Sequence, residues 1–322
     1  MEKRFFYHSF PRRRQDEDEI DKGFKILSSI CNSGLLITPE ITKWKYEHSD
    51  GSNPRIEELL QKRICFTELS EKELLLHCKS FGHFSIEFDI VALKQMGAIP
   101  VFYIPIDMSG NQKGAAVGSI LLIQMLDIQN FLFSLNFLNE LRNKEVAKKL
   151  PFIVNRPQNP PLNKTFEIDS EESFKLIAAV NHGLTPLPML LNSISSILNF
   201  FYPADNTIHD KILDYYRQRE WKISLDLTLP GQSGIFRQLT DQEKDNLLDI
   251  DRIFFGKNIV FQGQAISLLN ECSIFNNFAG KHPLEFANRI IVPEKALEKT
   301  KELLKKVNLN INVVSLTDFS KA

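Results

Sequence analysis

The sequence predicts an α+β fold: a twisted, mostly antiparallel, split sheet with flanking helices, opened in its middle by a helical insertion. Three observations predict it. Between Arg63 and Pro105, three short β-prone runs are separated by one helix and one polar turn. From Gln112 onward the pattern turns helical, with a proline-rich interruption. Beyond that, Trp221, Ile223 and Leu225 alternate with Lys222, Ser224 and Asp226, the two-residue period of a strand. The sheet-bearing core is therefore expected at residues 1–111 and 206–322, and the insertion at 112–205.

Arg4-Phe5-Phe6-Tyr7-His8 reads as a short aromatic strand. Arg12-Arg13-Arg14 then adjoins Asp16-Glu17-Asp18-Glu19. Opposite charge runs side by side form a solvated turn, whose basic half is a candidate phosphate contact. Phe24, Ile26, Leu27 and Ile30 recur at helical spacing, and Ser33-Gly34 ends that helix. Leu35-Leu36-Ile37 follows as a short strand. Glu40 to Pro54, polar and turn-rich, reads as a loop over one face.

Ile64-Cys65-Phe66 is a buried strand that ends at Thr67-Glu68. Ser70 with Glu73 is a capping box, and Gly82 suits the left-handed position after a helix. Phe84, Ile86 and Phe88 alternate with Ser85, Glu87 and Asp89, a strand with one wet face. A helix over Ile90 to Met96 stops at Gly97. Pro100 and Pro105 then place the strand Ile99 to Ile104 at a sheet edge. This order brings Thr67-Glu68 and Gly82-His83 to one rim.

Gly114 to Leu150 reads as one or two long helices. Ala115 to Phe133 is the most apolar stretch, but Gln124, Asp127, Gln129 and Asn130 interrupt it, which favours a buried amphipathic helix over a membrane span. Pro151 to Pro161 reads as an extended connector, because each proline removes a donor. Ser170 to Phe201 returns to helix, broken at Gly183 to Pro188. Thr240 with Glu243 caps a helix to Leu248. Arg252 to Phe255 and Asn258 to Phe261 are short apolar runs, and Ala265 to Cys272 reads as helix. Arg289 to Val292 is a strand, Pro293 opens a helix over Glu294 to Val307, and Ile311 to Leu316 is the final strand.

The 322 residues carry a net charge of -1, which argues against a chain whose main task is coating nucleic acid. Cys31, Cys65, Cys78 and Cys272 show no paired spacing and read as buried free thiols of a reducing, cytoplasmic compartment. Cys65, His77, Cys78 and His83 have the wrong spacing for zinc, so no metal site is expected. Met1 to Arg4 lacks the apolar run of a secretory leader.

Arg217, Arg219 and Glu220 sit beside Trp221 where a strand begins. If buried, such charges must pair, and Glu68 is the expected mate of Arg219. The bland alternatives are an internal ion pair for Arg219-Glu220, a satisfied strand-end histidine for His8, and a core residue for Trp221.

Read in order, Phe6-Tyr7-His8, Cys65-Phe66-Thr67-Glu68, His77 through Phe88, Val101-Phe102-Tyr103, Arg219-Glu220-Trp221-Lys222 and Ile291-Val292-Pro293 form a series. This series resembles the AbiGi family of abortive phage-resistance proteins, over residues 1–105 and 210–316. The resemblance implies antiphage defence, as one half of a toxin–antitoxin type pair with an antitoxin or regulatory role. The opening order of strand, helix, short strand and aromatic-Thr-Glu also looks like the small split-sheet fold of ADP-ribosyltransferases.

That likeness implies an enzyme with NAD as substrate. Cleaving a nicotinamide–ribose bond builds positive charge on the ribose and calls for a fixed carboxylate. Glu68 or Glu220 would be the carboxylate. His8 and Thr67 would hold ribose or amide, Arg219 a phosphate, and Tyr7 or Phe66 the ring, with His83 at the rim. Glu/His acid–base hydrolysis is a generic alternative. The other class is a non-enzymatic antitoxin, sensor or regulator that grips a protein partner, with nucleic acid the weaker form because no basic recognition helix is evident. Oligomeric state is not encoded in any motif.

Overall fold

The computed structural model describes residues 3–11, 19–46, 55–104, 113–143, 149–156, 162–181, 187–198, 200–203, 219–224 and 236–321. The Arg12-Arg13-Arg14 run, Arg217, and the Leu225-Asp226 end of the predicted strand fall outside them. Two compact units result: residues 1–115 with 199–322, and residues 116–198.

The first unit is α+β and mostly antiparallel. Its strands are β1 (Arg4–Phe10), β2 (Leu35–Tyr46), β3 (Arg55–Ser70), β4 (Phe84–Phe88), β5 (Ile99–Pro100), β6 (Phe102–Ile104), and, after the second unit, β9 (Phe201–Pro203), β10 (Glu220–Ser224), β11 (Phe236–Gln238), β12 (Asn258–Phe261), β13 (Gln264–Ser267), β14 (Ser273–Phe275), β15 (Ala287–Val292) and β16 (Asn312–Ser315). The ten-stranded sheet runs β11-β14-β2-β3-β1-β4-β15-β16, with β10 paired to β3 and β5 to β10. Only its β15–β16 pair is parallel.

The sheet divides on the long strand β3. Arg63 pairs with Thr38 of β2 and Ser224 of β10, while Thr67 pairs with Tyr7 of β1 and Glu220 of β10. A strand has two edges, so β2 and β1 share one edge of β3 and β10 occupies the other. Pro39 lies in β2 beyond the β14 pairing, which ends at Ile37, so the β14 ladder needs no donor from it.

Alternation sorts side chains onto two faces. Phe6, Phe10, Ile64, Phe66, Phe84, Ile86, Phe88, Ile223, Ile290 and Val292 form the larger core. Helices α1 (Glu19–Ser33) and α3 (Ile90–Gln95) contribute to it, as does the late helix Leu297–Lys306, through Leu27, Leu93 and Leu304. On the other face Phe5, Tyr7, Leu69 and Ile291 pack under Leu74 and Cys78 of α2 (Glu71–Phe81) and under Phe319. Ser85 and Glu87 are therefore buried, and the expected wet face of β4 does not exist. A period-two pattern marks which residues share a face, not what covers it.

Several boundaries correct the sequence reading. The 40–54 segment is strand through Tyr46, because it pairs along the first half of β3. That strand β3 itself runs past Thr67-Glu68 to Ser70, where Glu73 accepts the Ser70 N–H at 2.8 Å and starts α2. Residues 265–272 are β13 and then the short helix Leu268–Glu271, since the hairpin with β12 takes Ala265 and Ile266. The 252–255 run is helical, ending Asp241–Phe255 after a kink at Asp251, whose carboxylate accepts Phe254 N–H at 2.8 Å and Lys22 Nζ at 2.7 Å.

The second unit is not purely helical. Strands β7 (Lys149–Arg156) and β8 (Leu162–Asp169) form a hairpin in which Pro151 pairs with Glu167. It follows α4 (Lys113–Asn143) and precedes α5 (Ser170–Asn181) and α6 (Leu187–Leu198). The described part of the expected connector, 151–156, is thus in the hairpin's first strand, made regular by β8, and 157–161 lie outside the described residues. Helix α4 buries Leu132 and Leu135 against Leu191. It also exposes Leu121, Ile128, Phe131, Phe133 and Phe137. Among the described residues, no helix is long and apolar enough to cross a membrane.

Candidate functional site

The face of β3 that carries Gln61, Arg63, Cys65 and Thr67 is polar, although its other face is core. Register sets Glu40 beside Gln61, Lys222 beside Cys65 and Glu220 beside Thr67. The short parallel pair β6–β9 adds two tyrosines. Tyr103 donates to Glu220 at 2.7 Å and Tyr202 to Glu40 at 3.0 Å, while Gln61 Nε2 donates to the Phe201 carbonyl at 3.0 Å.

Four charges meet there. Arg63 is ion-paired with Glu40, and Lys222 Nζ lies 3.5 Å from Glu220. Both cations approach the Tyr202 ring, Lys222 Nζ at 4.6 Å and Arg63 Cζ at 5.0 Å from its centroid. Lys222, Arg63 and Glu220 side chains are 1%, 3% and 9% exposed, and Glu40, at 45%, forms the outer end. Among the described residues, Lys222 Nζ and Arg63 Nε and Nη1 are buried without a hydrogen-bond acceptor. A buried charge so poorly matched is costly.

The electrostatics follow from this packing. Burial works against ionisation of Glu220, but Lys222 and Arg63 outweigh it, with donors from Cys65 and Tyr103, and hold its carboxyl below the usual range. Burial likewise opposes the charge on Glu40, and Arg63, Lys222 and the Tyr202 hydroxyl reverse the balance. Burial, then repulsion from Arg63, pushes Lys222 below its ordinary value against the pull of Glu220. Burial and nearby Glu220 push the Cys65 thiol up to about 12. The arrangement supplies a fixed, ionised carboxylate in a water-poor setting beside two cations and two aromatic rings.

The sequence-predicted residues divide between the two faces. Glu220 and Thr67 lie on the polar face and pair in register. Tyr7 shares that face, but its hydroxyl donates to Glu87 at 2.8 Å in a separate network with Arg289. Glu68 and His8 carry the opposite parity. Glu68 pairs with Phe6 in the β1–β3 ladder. His8 packs its ring near Phe10 and Phe66, and its Nδ1–H donates to the Cys65 carbonyl at 2.9 Å. Burial lowers the His8 pKa, only partly offset by that bond. Phe66 is core, edge-on to Phe88. Arg219 is exposed, and its contact with Glu68 is through backbone: Glu68 N–H donates to Arg219 O at 3.1 Å.

His83 does not join Thr67 at one rim. It precedes Phe84, which pairs with Phe10, and its Nδ1 lies 3.3 Å from Glu19. Thr67 pairs with Tyr7, three residues back along β1, roughly 10 Å in an extended strand. Glu220, Glu68, His8 and Arg219 thus do not converge. Arg63, Glu40, Lys222, Tyr103 and Tyr202 were missed. The available signal was the polar parity of Gln61, Arg63, Cys65 and Thr67 in an otherwise apolar strand.

Comparison of the chain with protein-family models, with curated proteins and with solved structures found no match.

Proposed function

We propose that this chain acts in antiphage defence as an NAD-using, ADP-ribosyltransferase-like enzyme or NAD glycohydrolase, with Glu220 as its working carboxylate. The motif series quoted above supplies the defence context. The observation that carries the chemistry is the ionised Glu220 carboxylate, held by Tyr103 at 2.7 Å inside a four-charge cluster with unmatched cation donors. Expensive, poorly satisfied charge persists where chemistry requires it. An ionised carboxylate stabilises the positive charge that builds on ribose as the nicotinamide bond breaks. Of the two carboxylates considered from sequence, this reading selects Glu220, because Glu68 lies on the apolar parity of β3. The test is nicotinamide release or label transfer from NAD, with Glu220→Gln losing it and Glu68→Gln keeping it.

A non-enzymatic reading is favoured by one separate observation. Exposed Leu121, Ile128, Phe131, Phe133 and Phe137 on α4 make a helix apolar on more than one side, which suits a protein partner. Complex formation with the product of a neighbouring defence gene, abolished by Phe131→Glu with Phe137→Glu while NAD stays intact, is the result that reading requires.

A further inference from the structure

A cavity of about 560 Å³ lies away from the Glu220 cluster, lined by Lys3, Phe5, Glu71, Lys72, Glu87, Asp89, Asn288 and Arg289. It sits where the start of β1, the first turn of α2, the end of β4 and the start of β15 meet. We propose that this cavity is a binding site for a small phosphate-bearing molecule, a phosphate monoester of nucleotide size.

The lining carries three acids and three cations, but they are not equally free. Glu87 accepts the Tyr7 hydroxyl at 2.8 Å and Arg289 Nε at 2.8 Å. Glu71 is ion-paired with Arg289. Asp89 caps α3 by accepting Ala92 N–H at 2.7 Å. The carboxylates are thus committed to the fold. Lys3 lies over the Phe5 ring at 4.8 Å, and among the described residues neither Lys3 nor Lys72 has a carboxylate partner. Arg289 is fixed between Glu87 and Glu71 and over Phe319.

Two uncommitted ammonium groups complement a group of about two negative charges, which a phosphate monoester carries at neutral pH. The volume exceeds what a bare phosphate fills and lies in the range of small-ligand sites. Phe5 gives an apolar wall for the attached organic group. The β15–β4 ladder shifts register between Ala287 and Arg289, so Asn288 is the extra residue at the cavity lining. Bulges of this kind re-aim a side chain beside a site.

The probes are adenosine 5′-monophosphate, inorganic phosphate and adenosine, each titrated calorimetrically into the full chain. Binding of the monophosphate with competition by inorganic phosphate, and none of adenosine alone, is expected. Lys3→Ala with Lys72→Ala, both at the surface, should weaken it at least about tenfold, since each charge-assisted contact is worth roughly that factor. Glu220→Gln should leave it unchanged. No binding of either phosphate probe at millimolar concentration overturns the proposal. So does binding that the double variant leaves intact, or that Glu220→Gln removes. Nicotinamide release is measured separately, so failure here leaves the Glu220 reading standing.

Discussion

Glu220 and Glu68 stand on opposite parities of β3, because Glu220 pairs with Thr67, one residue before Glu68. The two acids that sequence placed in one pocket are separated by the sheet itself. Glu220 instead shares its face with Lys222, Arg63 and Glu40, and the following expectations turn on that cluster and on the frame around it.

Lys222 is held below its ordinary pKa by burial and by Arg63, so its charge costs the fold. Lys222→Met keeps the volume and removes the charge. Its unfolding free energy in urea should fall below wild type by about 3 kcal/mol, because the variant leaves the buried Glu220 carboxylate without its nearest cation. Arg63→Met should cost about 1 kcal/mol, because Glu40 is 45% exposed and keeps the Tyr202 hydroxyl. Because Lys222 is the first influence holding Glu220 ionised against burial, Lys222→Met should also lower any NAD turnover.

Gly82 has φ 106°, and a Cβ there would lie 2.2 Å from the Pro11 carbonyl oxygen. Neither the backbone nor the space admits a side chain. Gly82→Ala should destabilise by at least roughly 1–3 kcal/mol, read as a lower urea midpoint with unchanged m-value.

Burial lowers the His8 pKa in the folded state. The unfolded chain takes up this proton first as pH falls through about 6.5, so stability is lost below that value, at up to about 1.4 kcal/mol per pH unit. His8→Phe suits the Phe10–Phe66 surroundings and should flatten the slope between pH 7 and 5 in denaturant titrations.

Arg237 grips Glu243 through two bonds, 2.6 and 2.7 Å, and this pairing, against some burial, holds Glu243 at about 2. Its contribution is present above the ordinary carboxyl range and is lost as pH falls toward 2. Glu243→Gln should be less stable at pH 7 and show a smaller decline between pH 5 and 2.

Much of the frame was legible because local chemistry decides it. Ser70 and Thr240 start helices where their Glu partners sit three residues on, and Phe84-Ile86-Phe88 faces the core as its alternation requires. What failed was non-local. Residues 40–46 become strand only because β3 is long enough to pair with them, and Pro151 joins a strand only because β8 lies alongside. The site was half legible. Glu220 and Thr67 were singled out and are register partners, but His8 and Glu68 were grouped with them by motif order, and His83 by the strand ends it adjoins. Which face each residue takes depends on register between distant strands, and no local pattern carries that.

The most direct test of the account is nicotinamide release from NAD by wild type, Glu220→Gln and Glu68→Gln, each checked for native unfolding. Release by wild type and Glu68→Gln, with loss in Glu220→Gln, is the predicted result. Release that survives Glu220→Gln, or its absence from wild type, contradicts it.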